Sequence, residues 1–95
     1  MQVRDITINN RIVKGIEIPL PNANLVLVTA PKGYLMCGYL DIASAGKMGD
    51  CAAIIRGISN IDELLEGVIV ELTPEALKAG IHPGMTGRQA LARLV

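Results

Sequence analysis

The chain has neither tryptophan nor phenylalanine, and its aromatic residues are Tyr34 and Tyr39 alone. The stacking platforms on which single-stranded nucleic acids are held are therefore missing. His82 is the single histidine, and Cys37 and Cys51 are the only cysteines. With no CxxC or HxxxH spacing they form no recognisable metal-ligand set, and two thiols are too few for a disulfide scaffold. Free thiols inside apolar segments suit a reducing compartment, so a cytoplasmic location is expected. An excess of charge is absent as well: nine basic and nine acidic residues cancel, and no run of like charge exceeds two. Neither nucleic acid nor an anionic membrane is expected as a partner. No apolar run approaches the ~20 residues of a membrane-spanning helix. The start, Met1-Gln2-Val3-Arg4-Asp5-Ile6, reads as a strand rather than a signal peptide. No phosphate loop is present, and no cofactor is expected.

What the chain does have is an apolar excess. Hydrophobic residues make up 51% of its 95 positions and ten glycines add to them, whereas the two together make about 45–50% of a typical domain. This length fits one domain spanning 1–95. A chain of 10.1 kDa buries only about 64% of its unfolded surface. The excess predicts an apolar surface covered by a partner, and self-association is the commonest way to cover one. The N-terminal strands, about residues 1–30, are the expected contributors.

The first third alternates apolar and polar residues at period two, the signature of strands. Val3 to Ile8 is one strand and Asn9-Asn10 a tight turn, because asparagine tolerates the left-handed backbone that hairpin turns need. In the next strand Ile12, Lys14, Ile16 and Ile18 share one face, and Val13, Gly15 and Glu17 the other. Pro19, Pro21 and Asn22 end it. Leu25 to Ala30 is continuously apolar and predicts burial on both faces. Pro31-Lys32-Gly33 supplies a proline and a glycine for a turn in which the glycine takes a positive φ, and Tyr34 to Cys37 returns antiparallel.

After Gly38 the spacing becomes helical, with Leu40, Ala43 and Lys47 on one side of a short helix beginning near Tyr39. Cys51 to Arg56 reads as a strand. Ser59 or Asn60 caps a helix that Gly67 closes, and Val68 to Leu72 reads as a further strand. Thr73-Pro74 opens a helix ended by Gly80, and Thr86 to Gln89 has capping-box spacing for a last helix. The expected architecture is α+β: N-terminal β-hairpins feeding a mixed sheet, with three to four short helices on one face.

Cys37 is the sharpest candidate for chemistry. At the entrance to a helix beginning near Tyr39, its thiol would be favoured as thiolate. Packed among Leu35, Met36 and Leu40, it would instead be a small structural hydrophobe. Any Cys–His mechanism must use His82, which lies in the turn-forming loop Gly80 to Met85. Gly38 would give a ligand access to the backbone beside Cys37. Asp41 and Arg56 would complete a polar cleft there, or would serve as a helix-end carboxylate and an ordinary ion-pair partner. Gly84 to Arg88, with Gly87 and Arg88 before the last helix, has elements for holding a carboxylate or phosphate, or forms a plain capped turn with Arg88 solvated or paired to a carboxylate.

Three blocks carry a resemblance. They are Gly33-Tyr34-Leu35-Met36-Cys37-Gly38 with Leu40-Asp41, Gly57-Ile58 through Asp62-Glu63-Leu64-Leu65, and Ala79-Gly80-Ile81 through Gly84-Met85-Thr86-Gly87-Arg88 to Ala90-Leu91. Over residues 25–91 the chain resembles the YunC-like proteins, a bacterial and archaeal family filed as a domain of unknown function. The resemblance implies an α/β fold whose N-terminal β region mediates tetramerisation. It implies no established reaction, and so no catalytic residue to carry over. The expected function is a small homo-oligomeric module, a tetramer favoured, that binds a small molecule or peptide; the alternative is a thiol-dependent enzyme using Cys37.

Overall fold

Asn9 and Asn10 both take positive φ, 50° and 65°, which closes a two-residue hairpin turn of the kind that matches the twist of its flanking strands. The turn joins β1 (Gln2–Ile8) to β2 (Arg11–Pro19) and sets Ile8 opposite Arg11. The computed structural model describes residues 1–95. After these strands come β3 (Asn24–Ala30), β4 (Gly33–Met36), α1 (Ile42–Lys47), β5 (Ala52–Ile54), α2 (Ile61–Glu66), β6 (Glu71–Leu72), α3 (Pro74–Lys78) and α4 (Gly87–Ala92). The strands form one sheet in chain order, β1 to β6. Every neighbouring pair is antiparallel except β4 and β5, which are parallel. The protein is thus an α+β fold built on a mixed sheet.

Strand alternation sorts the side chains. One face presents Ile6, Val13, Val26, Val28, Leu35 and Ala53 to Ile61, Leu64, Leu65, Ala90, Leu91 and Leu94, forming a core of 18 buried residues. Capping holds the helices that cover it in place. Asn60 Oδ1 accepts the Glu63 N–H at 2.8 Å, Thr73 Oγ1 accepts that of Ala76 at 3.2 Å, and Thr86 and Gln89 form a reciprocal capping box. The opposite face carries a second, smaller cluster in which Ala45 of α1 packs with Met36, Ala52 and Ile54. Helices therefore lie on both faces, not on one as the sequence suggested. The parallel β4–β5 pair requires a crossover, and α1 makes it on the side away from the main core.

The Pro31–Gly33 turn also differs from expectation. Gly33 is an ordinary strand residue whose φ is not positive; the need for glycine is steric, because a Cβ there would sit 2.1 Å from the Cys51 carbonyl oxygen. The backbones of β4 and the start of β5 meet at this point, where the Tyr34 N–H donates to Cys51 O at 3.0 Å. The expected strand over Val68 to Leu72 is shortened to Glu71–Leu72. Before it, Val68 bridges to Thr86 and the Ile69 N–H donates to Met85 O, so this stretch pairs with the chain leading into α4. Leu25 and Leu27 are half-buried, whereas Val26 and Val28 are fully enclosed, so β3 is sealed on one face only.

Cross-strand register places Val3, Ile16, Leu27, Met36 and Ile54 in one row on the second face. The small cluster around α1 takes in the Leu27 to Ile54 end of this row. Toward β1 the apolar face is open: Val3 and Ile12 are 56% and 61% exposed, with the paired Asp5 and Lys14 between them. The total surface is 5182 Å², close to the ~5,300 Å² that scaling gives a monomer of this mass. Unusual compactness therefore does not absorb the apolar excess.

Candidate functional site

Cys37 continues β4. Its N–H donates to Val26 O at 3.0 Å, and its Sγ accepts the Val26 N–H at 3.2 Å. The residue is 3% exposed and belongs to the main core. The expected helix start near Tyr39 is not observed: Cys37 O accepts the Leu40 N–H in a turn, and α1 begins only at Ile42. Asp41 is the cap. Its carboxylate accepts the Ala43 N–H at 3.1 Å and the Ser44 hydroxyl at 2.6 Å. These two bonds, the Ser44 hydroxyl above all, hold its carboxyl below the usual range. The thiol and the helix entrance are thus separated by the turn, and the cap serves the helix rather than the cysteine.

Beyond Cys37 the chain opens a crevice of about 230 Å³ lined by Ala23, Asn24, Cys37, Gly38, Tyr39, Gly57 and Ile58. Its position follows from the topology. β4 and β5 run parallel, α1 leaves β4 for one face of the sheet, and α2 leaves β5 for the other. Diverging connections part the two loops at the carboxyl ends of the strands, the place where open sheets with parallel strands form ligand crevices. Ala23 in the β2–β3 connection and Asn24 at the start of β3 close the third side, where Asn24 Nδ2 donates to Ser59 O at 2.8 Å. Arg56 stands beside the crevice. Its Nη2 donates to Glu71 Oε2 at 2.6 Å, and its Nη1 lies 3.2 Å from where a Cβ on Gly38 would be. Gly38, Cys37 and Arg56 are thus brought together, with Asp41 at the end of the same loop.

The other sequence candidates lie apart from this crevice. The Gly84–Arg88 loop has its amides engaged: Gly84 N–H bonds Ile69 O, Met85 bonds His82 O, Thr86 bonds Gln89 Oε1, and Gly87 bonds Gly67 O. Gly87 is buried, with the Leu64 carbonyl oxygen only 2.2 Å from its would-be Cβ, so a close backbone approach accounts for the glycine. Arg88 is 3.5 Å from Glu66 on the surface, and both border a shallow cavity of about 330 Å³ with Thr7 and Asn9. His82 is exposed; its N–H donates to Met85 Sδ, no hydrogen bond joins it to Cys37, and it does not line the crevice. Cys51 is half-buried, and burial pushes its thiol up, with Glu75 adding to the effect. No three His, Cys, Asp or Glu side chains come together as a metal site.

Sequence reading missed Asn24, Tyr39, Gly57 and Ile58 as parts of one site. The available signal was a glycine within three residues of the end of each of two short apolar strands, Gly38 after β4 and Gly57 after β5. It becomes legible only once those strands are known to be parallel neighbours.

The family model described as Domain of unknown function (DUF1805) matches residues 36–94. The chain belongs to this family. It is 34% identical over 85 residues to the Uncharacterized protein YunC of Bacillus subtilis (strain 168), covering 85% of this chain and 84% of that protein. Its fold superposes with a TM-score of 0.94 on the crystal structure of TA1206, a protein of unknown function from Thermoplasma acidophilum. That match has 35% identity and covers 99% of this chain and 92% of the other. The family match takes in all of the β4–α1 and β5–α2 loops, while β1 to β3 lie outside it. No helix is long and apolar enough to cross a membrane.

Proposed function

We propose that the protein is a homo-oligomeric module that binds a small molecule in the crevice between the β4–α1 and β5–α2 loops. The observation that carries this reading is the crevice itself, sited where the only parallel strand pair ends and its two connections diverge to opposite faces. Its volume suits a ligand smaller than the drug-sized molecules that fill cavities of about 300–1,000 Å³. A peptide would have to lie across it and leave most of its length outside. The β1–β2 face carrying Val3, Ile12 and Ile16 supports self-assembly with a second copy, and a tetramer is the assembly the family resemblance implies. The two free thiols fit a cytoplasmic setting.

The test is a fragment screen against ¹⁵N-labelled protein. Binding at the crevice should move the amide resonances of Gly38, Tyr39, Gly57 and Ile58 in a saturable way and raise the melting temperature, because a ligand that prefers the folded state must stabilise it. Hits confined to the Thr7–Arg88 cavity would refute the assignment. The thiol-dependent enzyme remains the second reading because Cys37 lines this crevice; it requires a thiol that reacts in the native protein.

A further inference from the structure

Hydrogen-bonding capacity around the crevice is unbalanced. The N–H groups of Gly38 and Tyr39 on one loop, and of Arg56, Gly57 and Ile58 on the other, have no acceptor within the protein. Open loops leave some amides to water, and here five of them lie on the two loops that bound one crevice, whereas the four consecutive amides from Gly84 to Gly87 are all bonded internally. These free donors precede both helix caps, Asp41 and Asn60, so they belong to the strand ends and not to a helix terminus. Acceptors of negative charge are missing from the wall. None of the lining residues is acidic. Carboxylates on the flanking segments are already hydrogen-bonded within the protein: Asp41 to Ala43 and Ser44, Glu63 to the Ser59 N–H, and Glu71 to Arg56 itself. Arg56 uses Nη2 for Glu71 while Nη1 lies over Gly38, and a guanidinium has five donors to share. The rest of the wall is apolar, from Ala23, Cys37, Tyr39 and Ile58, apart from Asn24, whose Nδ2 donates to Ser59 O.

From this distribution, and resting on the reading of the crevice as a binding site, we infer that the ligand is a small organic monoanion: a carboxylate whose head meets the free amides and Arg56 while a short apolar tail lies against Ala23, Cys37 and Ile58. An inorganic anion would satisfy the donors and leave the apolar wall wet. A neutral molecule of the same shape would cover the wall and leave the donors and the guanidinium without a charged acceptor, the stronger kind of hydrogen-bond partner.

The experiment titrates ¹⁵N-labelled protein at constant ionic strength with hexanoate, with hexanamide as its neutral counterpart, and with inorganic phosphate. Hexanoate should shift the Gly38, Tyr39, Gly57 and Ile58 amides saturably, with hexanamide about tenfold weaker or worse. Arg56→Gln should weaken hexanoate about tenfold while the rest of the spectrum stays folded, since Arg56 is a surface ion-pair residue. Lys32→Gln, a change of the same charge away from the crevice, should leave binding unchanged. If hexanamide binds these loops as well as hexanoate, the anion assignment fails and the binding site stands. Phosphate binding more tightly than hexanoate overturns the apolar tail. If no probe of either charge moves these amides, the monoanion and the binding reading fall together, whereas neutral fragments that bind there would sink the monoanion alone.

Discussion

Replacing Gly33 by alanine tests the packing that positions the crevice. The added methyl would stand 2.1 Å from the Cys51 carbonyl oxygen and 3.0 Å from both the carbonyl carbon and the Cβ of Cys51. The first contact is with main chain, so no rotamer change relieves it; β4 must move away from the residue that leads into β5 by about 1 Å or more. That movement stretches the 3.0 Å hydrogen bond from Tyr34 N–H to the same oxygen. Overpacking of a tight site costs about 1–3 kcal/mol, and a buried backbone group left without its partner about 1–3 kcal/mol more. The sum, about 2–6 kcal/mol, is a large part of the ~5–15 kcal/mol that holds a domain together. At about 4–8 °C per kcal/mol for a domain of this size, the melting temperature should fall by roughly 10–50 °C in a calorimetric scan. Gly38→Ala is the internal control. Its methyl meets only the far end of the Arg56 side chain, at 3.2 Å, and the fold should lose about 1 kcal/mol or less. Equal melting temperatures for the two variants would refute the argument that a backbone contact, rather than glycine's freedom, fixes residue 33.

Three further outcomes follow from other parts of the molecule. Ile12→Asp or Ile16→Asp should convert the assembly to monomers of about 10 kDa by light scattering with the circular dichroism unchanged; parent protein that already scatters as a monomer would sink the proposed assembly, and unfolding of both variants would assign that face to the subunit's own core. Tyr34 donates its phenol to Asp50 Oδ2 at 2.7 Å, and burial first, then that bond, pushes its pKa up to about 12. A pKa above the unfolded value of ~10 means its contribution is whole below pH ~10 and is lost as the pH rises toward 12. Tyr34→Phe should therefore lower stability by about 1 kcal/mol at pH 7 in urea titrations, and the difference from the parent should shrink above pH ~10. Native Cys37 should resist iodoacetamide until the protein unfolds, by peptide mass spectrometry with Cys51→Ser as background; alkylation with a midpoint clearly below pH ~8.5 would instead favour the thiol-dependent enzyme.

Local chemistry made much of the fold readable. The Asn9-Asn10 turn, the alternation in β1 and β2, the Thr73-Pro74 helix start and the Thr86–Gln89 capping box are all written within a few residues, and each appears where the sequence put it. Features that depend on the partner of a segment were not readable. Gly33 looked like a turn glycine because nothing in its neighbours names Cys51, the residue whose carbonyl it approaches. Leu40 and Ala43 share helical spacing whether or not the chain between them is helical, so the pattern after Gly38 puts the helix start too early. Only the Asp41 cap, with Ser44 three residues on, marks the true start.

The same distinction governs the site. Cys37 ends an apolar strand beside a glycine, a local pattern that does not separate a reactive thiol from a packed one. Its partner is the main chain of Val26, eleven residues back on the neighbouring strand. That bond carries Cys37 into the sheet and makes Gly38 the first residue free of it. Arg56 begins the other loop in a similar way, with Gly57 next, after Ile55 donates its N–H to Met36 O at 2.9 Å. Each strand is thus hydrogen-bonded up to the rim and each loop starts with amides the sheet does not use. The crevice is a consequence of where pairing stops on two adjacent parallel strands, and a ligand there would take up the bonding that the sheet gives up.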